Sequence, residues 1–218
     1  MIKLFREKSI GYYFRDQKTQ IKASIDKMDE DKFMEFIPKD LADNKTAASQ
    51  LAHLRINLNS KKFIGLGIRK LTNKAFPQGW DSNSAEEPRI IVEYSYDVPD
   101  NSELLAFNPS EGFQLVSLDK FEQEIKINIA NDKLILQYQT LYQAKGQEKR
   151  IELSEEERKI FKDGIVKLHS SIEKAVQDIN NDIDKFNENI SIDILKFISD
   201  RRDEITRRRN HDDEMNEF

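Results

Sequence analysis

The feature that most constrains the fold is an apolar pattern near the carboxyl end that recurs every seven residues. Its two rows lie four residues apart, like the a and d positions of an amphipathic helix. A helix with such a stripe needs a dry partner surface, since each buried Ile or Val contributes roughly 1.5–3 kcal/mol. We expect an amino-terminal helix of the same chain or a second copy of the chain to supply it. We call this stripe the seam; it consists of Ile165, Ile172, Val176, Ile179, Ile183, Phe186 and Ile190.

The helix that carries the seam has a predictable start. Ser154 is followed three residues later by Glu157, which is the spacing of a capping box. Residues 151–209 are predicted to form one long helix or a pair of helices, because residues 187–191 contain poor helix formers that permit a break. Residues 210–218 are predicted to be a polar tail.

A second amphipathic helix is predicted near the amino terminus, where apolar residues recur at helical spacing. Pro38 is expected to end this apolar surface, and Thr46 is expected to cap a further helix. Residues 1–74 are therefore assigned to a helical region, although residues 63–68 fit a short strand or a tight loop. The apolar positions of the first helix are Ile10, Phe14, Ile21, Ile25 and Met28.

Residues 75–150 are predicted to form an antiparallel β region. Residues 89–98 are rich in β-branched and aromatic side chains. Apolar residues alternate with polar ones over 125–129 and again over 134–138, on either side of Asn131 and Asp132. This pattern predicts a hairpin with one covered face. The fold class is therefore α+β, with a helical amino-terminal region, an antiparallel sheet and a long amphipathic helix at the carboxyl end.

Composition narrows the function classes. The chain has no Cys, which excludes disulfides, Cys-ligated zinc and thiol catalysis and suits a reducing cytoplasm. No apolar run approaches the roughly 18 residues that span a bilayer. Charged residues also come too early in the chain for a signal peptide. We therefore predict a cytoplasmic protein without membrane contact.

The charge is distributed unevenly. Residues 1–74 hold 16 Lys and Arg against 9 Asp and Glu, whereas residues 75–218 have a balance of -12, which gives the net charge of -5. The basic region could face a nucleic acid, or the two regions could dock on each other. A second basic cluster could contact phosphates, but acidic residues three or four positions away favour ion pairs on a solvated helix. Its members are Arg201, Arg202, Arg207, Arg208 and Arg209.

Three residues fit a loose signature of magnesium-dependent nucleases. Asp100 is followed 24 residues later by Glu124, and Lys126 comes two positions after that. Two carboxylates could hold Mg²⁺, which polarises a phosphate and activates water. The alternative is that Asp100 belongs to a turn while Glu124 and Lys126 form the solvated face of a strand.

The remaining motifs for chemistry are incomplete. Gly65-Leu66-Gly67 lacks the third glycine of a dinucleotide fingerprint. His53, His169 and His211 are too scattered for a metal site, and His169 lies beside the seam, where a buried structural histidine is expected. We therefore expect no metal and no cofactor, and the sequence leans away from an enzyme.

The stretch from Ile179 to Ile205, taken with Val92 to Ser110, resembles the N-terminal region of uncharacterised bacterial multidomain proteins. Proteins of this kind often belong to antiviral defence systems. The resemblance is carried by the heptad residues, by Phe186-Asn187 and by Arg201-Arg202. It implies a small α+β regulatory or assembly module, with an effector domain beyond Phe218, and it implies no catalytic residue.

Three functional hypotheses result. The first is a non-catalytic interaction, sensor or assembly module that binds a protein partner or a second copy. The second is a nucleic-acid-binding module that uses the basic residues 1–74, and the third is a magnesium-dependent nuclease.

Overall fold

The fold is α+β, as the sequence predicts. The computed structural model describes residues 2–72, 86–116, 121–143 and 153–216. In these ranges the helices are α1 (Ile10–Asp26), α2 (Glu30–Glu35), α3 (Pro38–Ser49) and α4 (Glu155–Asn216). The strands are β1 (Ile2–Lys3), β2 (Lys8–Ser9), β3 (Lys62–Thr72), β4 (Glu86–Asp97), β5 (Phe107–Asn108), β6 (Phe121–Ala130) and β7 (Lys133–Gln143).

Contacts divide the chain into two compact units. The first unit comprises Met1–Lys8 and Leu54–Ile179, and the second comprises Ser9–His53 and Asn180–Phe218. Helix α4 therefore contributes residues 155–179 to the first unit and residues 180–216 to the second. The segments predicted from the sequence are 1–74, 75–150 and 151–209. They divide the chain by type of secondary structure, whereas the two units are defined by contacts.

The first unit is built on a five-stranded antiparallel sheet with the order β1-β6-β7-β4-β3. The predicted hairpin is confirmed as β6 and β7, which pair from Ala130 and Lys133 onwards. Asn131 and Asp132 form its two-residue turn with φ angles of 51° and 55°. Asn and Asp tolerate this left-handed backbone better than most residues, which is why the chain reverses here.

One face of this sheet lies against α4. Leu134, Leu136 and Tyr138 alternate along β7 and are all buried, as period-two patterning predicts. His169 Nε2 of α4 lies 3.1 Å from the Tyr138 hydroxyl, which places the helix on that face. The seam residues in this unit are therefore dry: Ile165, Ile172 and Ile179 are fully buried and Val176 is half-buried.

Helix α4 begins with the predicted capping box. The Ser154 backbone N–H donates to Glu157 Oε2 at 2.8 Å, and the Glu157 N–H donates to Ser154 Oγ at 3.2 Å. These two bonds satisfy backbone donors that the first helical turn leaves unpaired.

In the second unit, amino-terminal helices cover the seam. The Phe14 ring of α1 stacks on Phe186 with the ring centroids 4.9 Å apart. The amino-terminal region of the same chain is thus the partner of the seam here, one of the two predicted alternatives. The buried cluster of this unit comprises Ile25, Phe33, Leu41, Ala42, Phe186, Ile190, Ile194, Ile198 and Ile205.

Two sequence-based boundaries are wrong. Pro38 does not end an apolar surface but begins α3, where its missing N–H is harmless because first-turn donors have no partner in the helix. Thr46, predicted as a cap, therefore lies inside α3.

Of the two alternatives for this region, one helix or a pair, the structure has one helix, since α4 continues through residues 187–191. Asn187 accepts from the Leu51 N–H and donates to the Leu51 carbonyl, both at 2.9 Å. Asn187 is a poor helix former, but its side-chain amide fixes the backbone at Leu51.

The seam makes a sharp stability prediction within one helix. Ile190 is fully buried, whereas Ile192 is 65% exposed. We expect Ile190→Ala to lower the free energy of unfolding by about 2–4 kcal/mol, because it leaves a cavity in the core. Ile192→Ala should change it by less than about 0.5 kcal/mol. Chemical unfolding followed by circular dichroism checks both values, and equal losses would contradict the assigned packing.

Candidate functional site

A ring of three polar side chains lies between the sheet and α4 in the first unit. Tyr96 of β4 and Tyr138 of β7 have their hydroxyl oxygens 2.9 Å apart. His169 Nε2 lies 2.8 Å from the Tyr96 hydroxyl and 3.1 Å from that of Tyr138. With Nε2 unprotonated, one tyrosine hydroxyl donates to it and the other donates to the first hydroxyl oxygen, so both tyrosine protons have acceptors.

Burial keeps this ring neutral. It lowers the pKa of His169 to about 4, and the Lys61 ammonium adds a smaller effect in the same direction. Burial also raises the pKa values of Tyr96 and Tyr138. All three groups are moved away from neutral pH, where a general acid or base should titrate. The arrangement is typical of a structural cluster that fixes α4 on the sheet.

Aromatic contacts connect this cluster of Tyr96, Tyr138 and His169 to the surface. Tyr138 meets the Tyr94 ring edge to face at 6.0 Å, and Tyr94 meets Phe63 of β3 in the same way at 5.6 Å. The Lys61 ammonium lies 5.1 Å from the centre of the Tyr94 ring. The buried cluster thus supports an exposed aromatic side chain and a cation beside it.

Strand β3 forms an edge of the sheet among the described strands, where it pairs with β4 alone. We call Lys62–Thr72 the open edge. It carries unusually exposed apolar side chains: Phe63 is 59% exposed, Ile64 is 49% and Ile68 is 47%. Proteins normally shorten, charge or cover such edges, because their unpaired backbone groups attract other strands.

The open edge contains one irregularity. The register to β4 shifts between Phe63 and Gly65, so Ile64 is an extra residue in a bulge. From Gly65 to Thr72 the pairing is regular. At Gly67 an added Cβ would lie 2.9 Å from the Ile91 side chain, which would then have to shift.

The structure does not bring the candidate nuclease residues to one level of the sheet. Asp100 lies in the turn that follows β4, past the end where Asp97 pairs with Lys133. Glu124 lies in β6 beside Ile125, which is opposite Tyr138, five positions or roughly 17 Å further along β7. Lys126 lies in register between β1 and β7.

Arg201 is tied to the protein backbone of its own unit. It is 8% exposed, and its guanidinium donates to the carbonyls of Ile25 and Met28 at the end of α1. The same group lies 4.4 Å from the centre of the Phe33 ring. These contacts satisfy helix-end carbonyls, which otherwise lack donors.

The other arginines of this cluster are also engaged. Arg202 donates to the carbonyls of Met34, at 3.0 Å, and of Phe36. Arg208 and Arg209 pair with Glu30 and Asp31, the latter at 2.6 Å. Arg207 donates to the carbonyl of Asp203 in its own helix at 3.2 Å. A phosphate would have to compete with each of these acceptors.

No cluster of three or more metal-ligating side chains occurs in the parts of the chain that the structure describes. His53 is paired with Asp184 at 2.8 Å in the second unit, whereas His169 belongs to the first. Within the same described ranges, no helix combines the length and apolar character that a bilayer crossing requires.

A half-open cleft of about 310 Å³ lies between residues 111–114 and α4 in the first unit. Glu111, Lys174 and Asp178 give it mixed charge. Ser171, which also lines it, already accepts from the Val116 N–H at 3.1 Å. This lining of mixed charge selects no single class of ligand.

Comparison of the chain with models of protein families, with curated proteins and with solved structures gives no match. The open edge must therefore be interpreted on its own geometry.

The sequence of residues 63–68 fits either a strand or a loop and predicts no role for them. The signal that could have found the open edge is the placement of Lys61-Lys62 and Arg69-Lys70 on either side of an apolar stretch. Charges at the ends of an apolar strand are typical of an edge.

The lowered pKa of His169 predicts a pH-dependent stability. Between pH 6.5 and about 4 the unfolded chain binds a proton at this histidine and the folded chain does not. The free energy of unfolding should therefore fall as the pH falls through this range, by at most about 1.4 kcal/mol per pH unit and less for a half-buried ring. His169→Gln should remove that contribution to the slope, measured by urea unfolding at pH 7 and pH 5. Parallel slopes for both proteins would show that His169 does not titrate as assigned.

The backbone contacts of Arg201 predict that its shape matters as well as its charge. Arg201→Lys keeps the charge but loses the fork that reaches Ile25 and Met28. We expect a loss of about 1–3 kcal/mol in the free energy of unfolding, because buried carbonyls lose their donors. Arg207→Lys is the matched control and should have little effect, since Arg207 is exposed and bonds only within its own helix. Thermal unfolding compares the two, and an unaltered Arg201→Lys protein would refute the structural role.

Proposed function

We propose that this chain is a non-catalytic interaction module that binds a protein partner through the open edge. The observation that carries the proposal is the exposure of Phe63, Ile64 and Ile68 on a strand that pairs on one side among the described strands. Such an edge offers both backbone hydrogen bonds and apolar contacts to an extended segment.

The seam is not the surface that we propose for the partner. Ile165, Ile179 and Ile190 are fully buried within the single chain, and a partner could reach them only by unfolding a core. A second chain must therefore bind elsewhere. The open edge qualifies because its apolar groups are accessible in the folded chain.

A stable surface is needed for binding, and the aromatic contacts provide it. Phe63 rests against Tyr94, and Tyr94 rests against the buried Tyr138. The exposed ring is thus positioned before a partner arrives, which lowers the entropy lost on binding.

Nucleic-acid binding is the second candidate function, and the side-chain contacts disfavour it. The arginines near the carboxyl end are engaged by carbonyls or carboxylates, which disfavours them as phosphate contacts. Lys61 and Lys62 are exposed, but the exposed apolar groups that follow them include a single aromatic ring, Phe63. Single-strand binding surfaces usually present several rings to stack on bases, so we favour a protein partner.

The setting of the module belongs to the same proposal. We place it in a bacterial cytoplasm, in keeping with its cysteine-free composition, and assign it a regulatory or assembly role in a larger defence protein. That role is what the resemblance of residues 179–205 implies, and the open edge is the surface through which it would act.

A matched pair of variants tests the proposed function. Ile68→Asp places a charge on the open edge, and Ile129→Asp does the same on β6 at almost equal exposure, 47% against 48%. Affinity capture from cells of the source organism, quantified by mass spectrometry, should retain a protein on the wild type and on Ile129→Asp. Its yield should fall at least tenfold on Ile68→Asp. If no captured protein depends on Ile68 in this way, the proposed function is wrong.

A further inference from the structure

We propose that the partner segment is an extended, acidic strand of another protein that adds to the open edge beside β3. This inference rests on the proposed function and names its ligand class. It follows from the charge, the register and the exposure of β3 together.

The open edge and the residue before it carry charge of one sign only. Residues 61–72 contain four basic residues and no acidic residue. The basic residues stand in two pairs, Lys61-Lys62 and Arg69-Lys70, with the apolar stretch 63–68 between them. Opposite charges across neighbouring strands stabilise a sheet and like charges destabilise it. A strand that adds here is therefore favoured when its two ends are acidic.

The same charge pattern argues against a second copy of this chain at the edge. Antiparallel pairing of two β3 strands about Leu66 would set Lys62 opposite Lys70 at both ends. Parallel pairing in register would set each basic residue beside its own copy. Both arrangements bring like charges together at the ends of the contact, which is unfavourable. The occupant is therefore a different segment, and its charge is opposite.

The register defines which side of the added strand must be apolar. Leu66 is opposite Val92, and Ile68 is opposite Ile90. Val92 and Ile90 are both buried, and residues opposite each other in a sheet point to the same face. Ile68 thus extends the covered face of the sheet towards solvent. Every second residue of the partner would continue that face, so β-branched or aromatic residues should alternate there.

The regular stretch of the edge sets the length of the partner. Pairing is uninterrupted from Gly65 to Thr72, and the bulge at Ile64 bends the strand before it. A segment of about six to eight residues would match this stretch. Acidic residues just outside that segment could reach Lys61 and Lys62, which are both exposed.

Selection from a random peptide library tests the inference without a known partner. The full chain is immobilised, and displayed peptides of twelve random residues are selected at low salt. We expect the selected peptides to be enriched in Asp and Glu at both ends and in alternating β-branched or aromatic residues between them. Their affinity should fall at least tenfold for Ile68→Asp and for the double variant Lys61→Glu, Lys62→Glu. It should be unchanged for Ile129→Asp and should weaken as NaCl is raised, because salt screens the ionic contacts.

Hydrogen exchange provides a readout that does not depend on a variant. A strand added at the edge should slow the exchange of backbone amides in residues 65–72 and leave those of β6 unchanged, since only β3 gains hydrogen bonds. Binding with no such protection would overturn the strand-addition geometry. Selected peptides that are not acidic, or no selected peptides at all, would overturn the ligand class.

Two further measurements distinguish other occupants of the open edge from an acidic strand. A dimer in sedimentation that Ile68→Asp abolishes would replace the acidic peptide with a second copy. Salt-sensitive binding of a single-stranded oligonucleotide that needs Lys61 and Lys62 would replace it with a nucleic acid. If affinity capture yields a partner that depends on Ile68 and the library yields no acidic strand, the proposed function stands and this inference alone fails.

Discussion

Both units depend on burying the apolar stripe of α4. A 62-residue helix with such a stripe is not stable alone in water, because most helical stability in proteins comes from packing an amphipathic face. The chain solves this in two ways, with a sheet face against residues 155–179 and with short helices around residues 186–205. The sheet and the amino-terminal helices differ in secondary structure, but each presents an apolar surface to the apolar stripe of α4.

The sequence predicts the elements with strong periodicity, and it predicts less well what each of them contacts. The seven-residue spacing of the seam identifies Ile179 and Ile190 as buried, and the Ser154 box identifies where α4 begins. The spacing cannot say whether a strand, a helix or another chain lies opposite, because all of these offer dry surfaces. Local rules also fail where a tertiary bond decides. Residues 187–191 have weak helix propensity, yet the helix continues through them, with Phe186 and Ile190 buried and Asn187 bonded to the backbone at Leu51. No propensity scale contains that long-range pair.

The candidate site was harder to predict, for a physical reason. Lys61 and Phe63 acquire their setting only when β3 pairs with β4 and becomes an edge, and edge position is a property of topology. Arg201 shows that a buried structural residue is equally hard to predict from the sequence. Its sequence neighbours favour ion pairs, but its guanidinium is buried and caps carbonyls of α1. Charge spacing along one helix cannot reveal a backbone acceptor that is distant in sequence.

Hydrogen-bond satisfaction then separates the structural polar groups from the accessible ones. His169, Arg201 and Asn187 are the side chains that a search for chemistry would select first, and each is engaged by hydroxyls or backbone groups of its own unit. The open edge is different, because β3 pairs on one side among the described strands and so directs alternate N–H and C=O groups outwards. Water can form hydrogen bonds with those groups, but the exposure of Phe63 and Ile68 to water is unfavourable. An extended segment can satisfy the backbone groups and cover the apolar side chains at once, and for that reason we assign binding to β3.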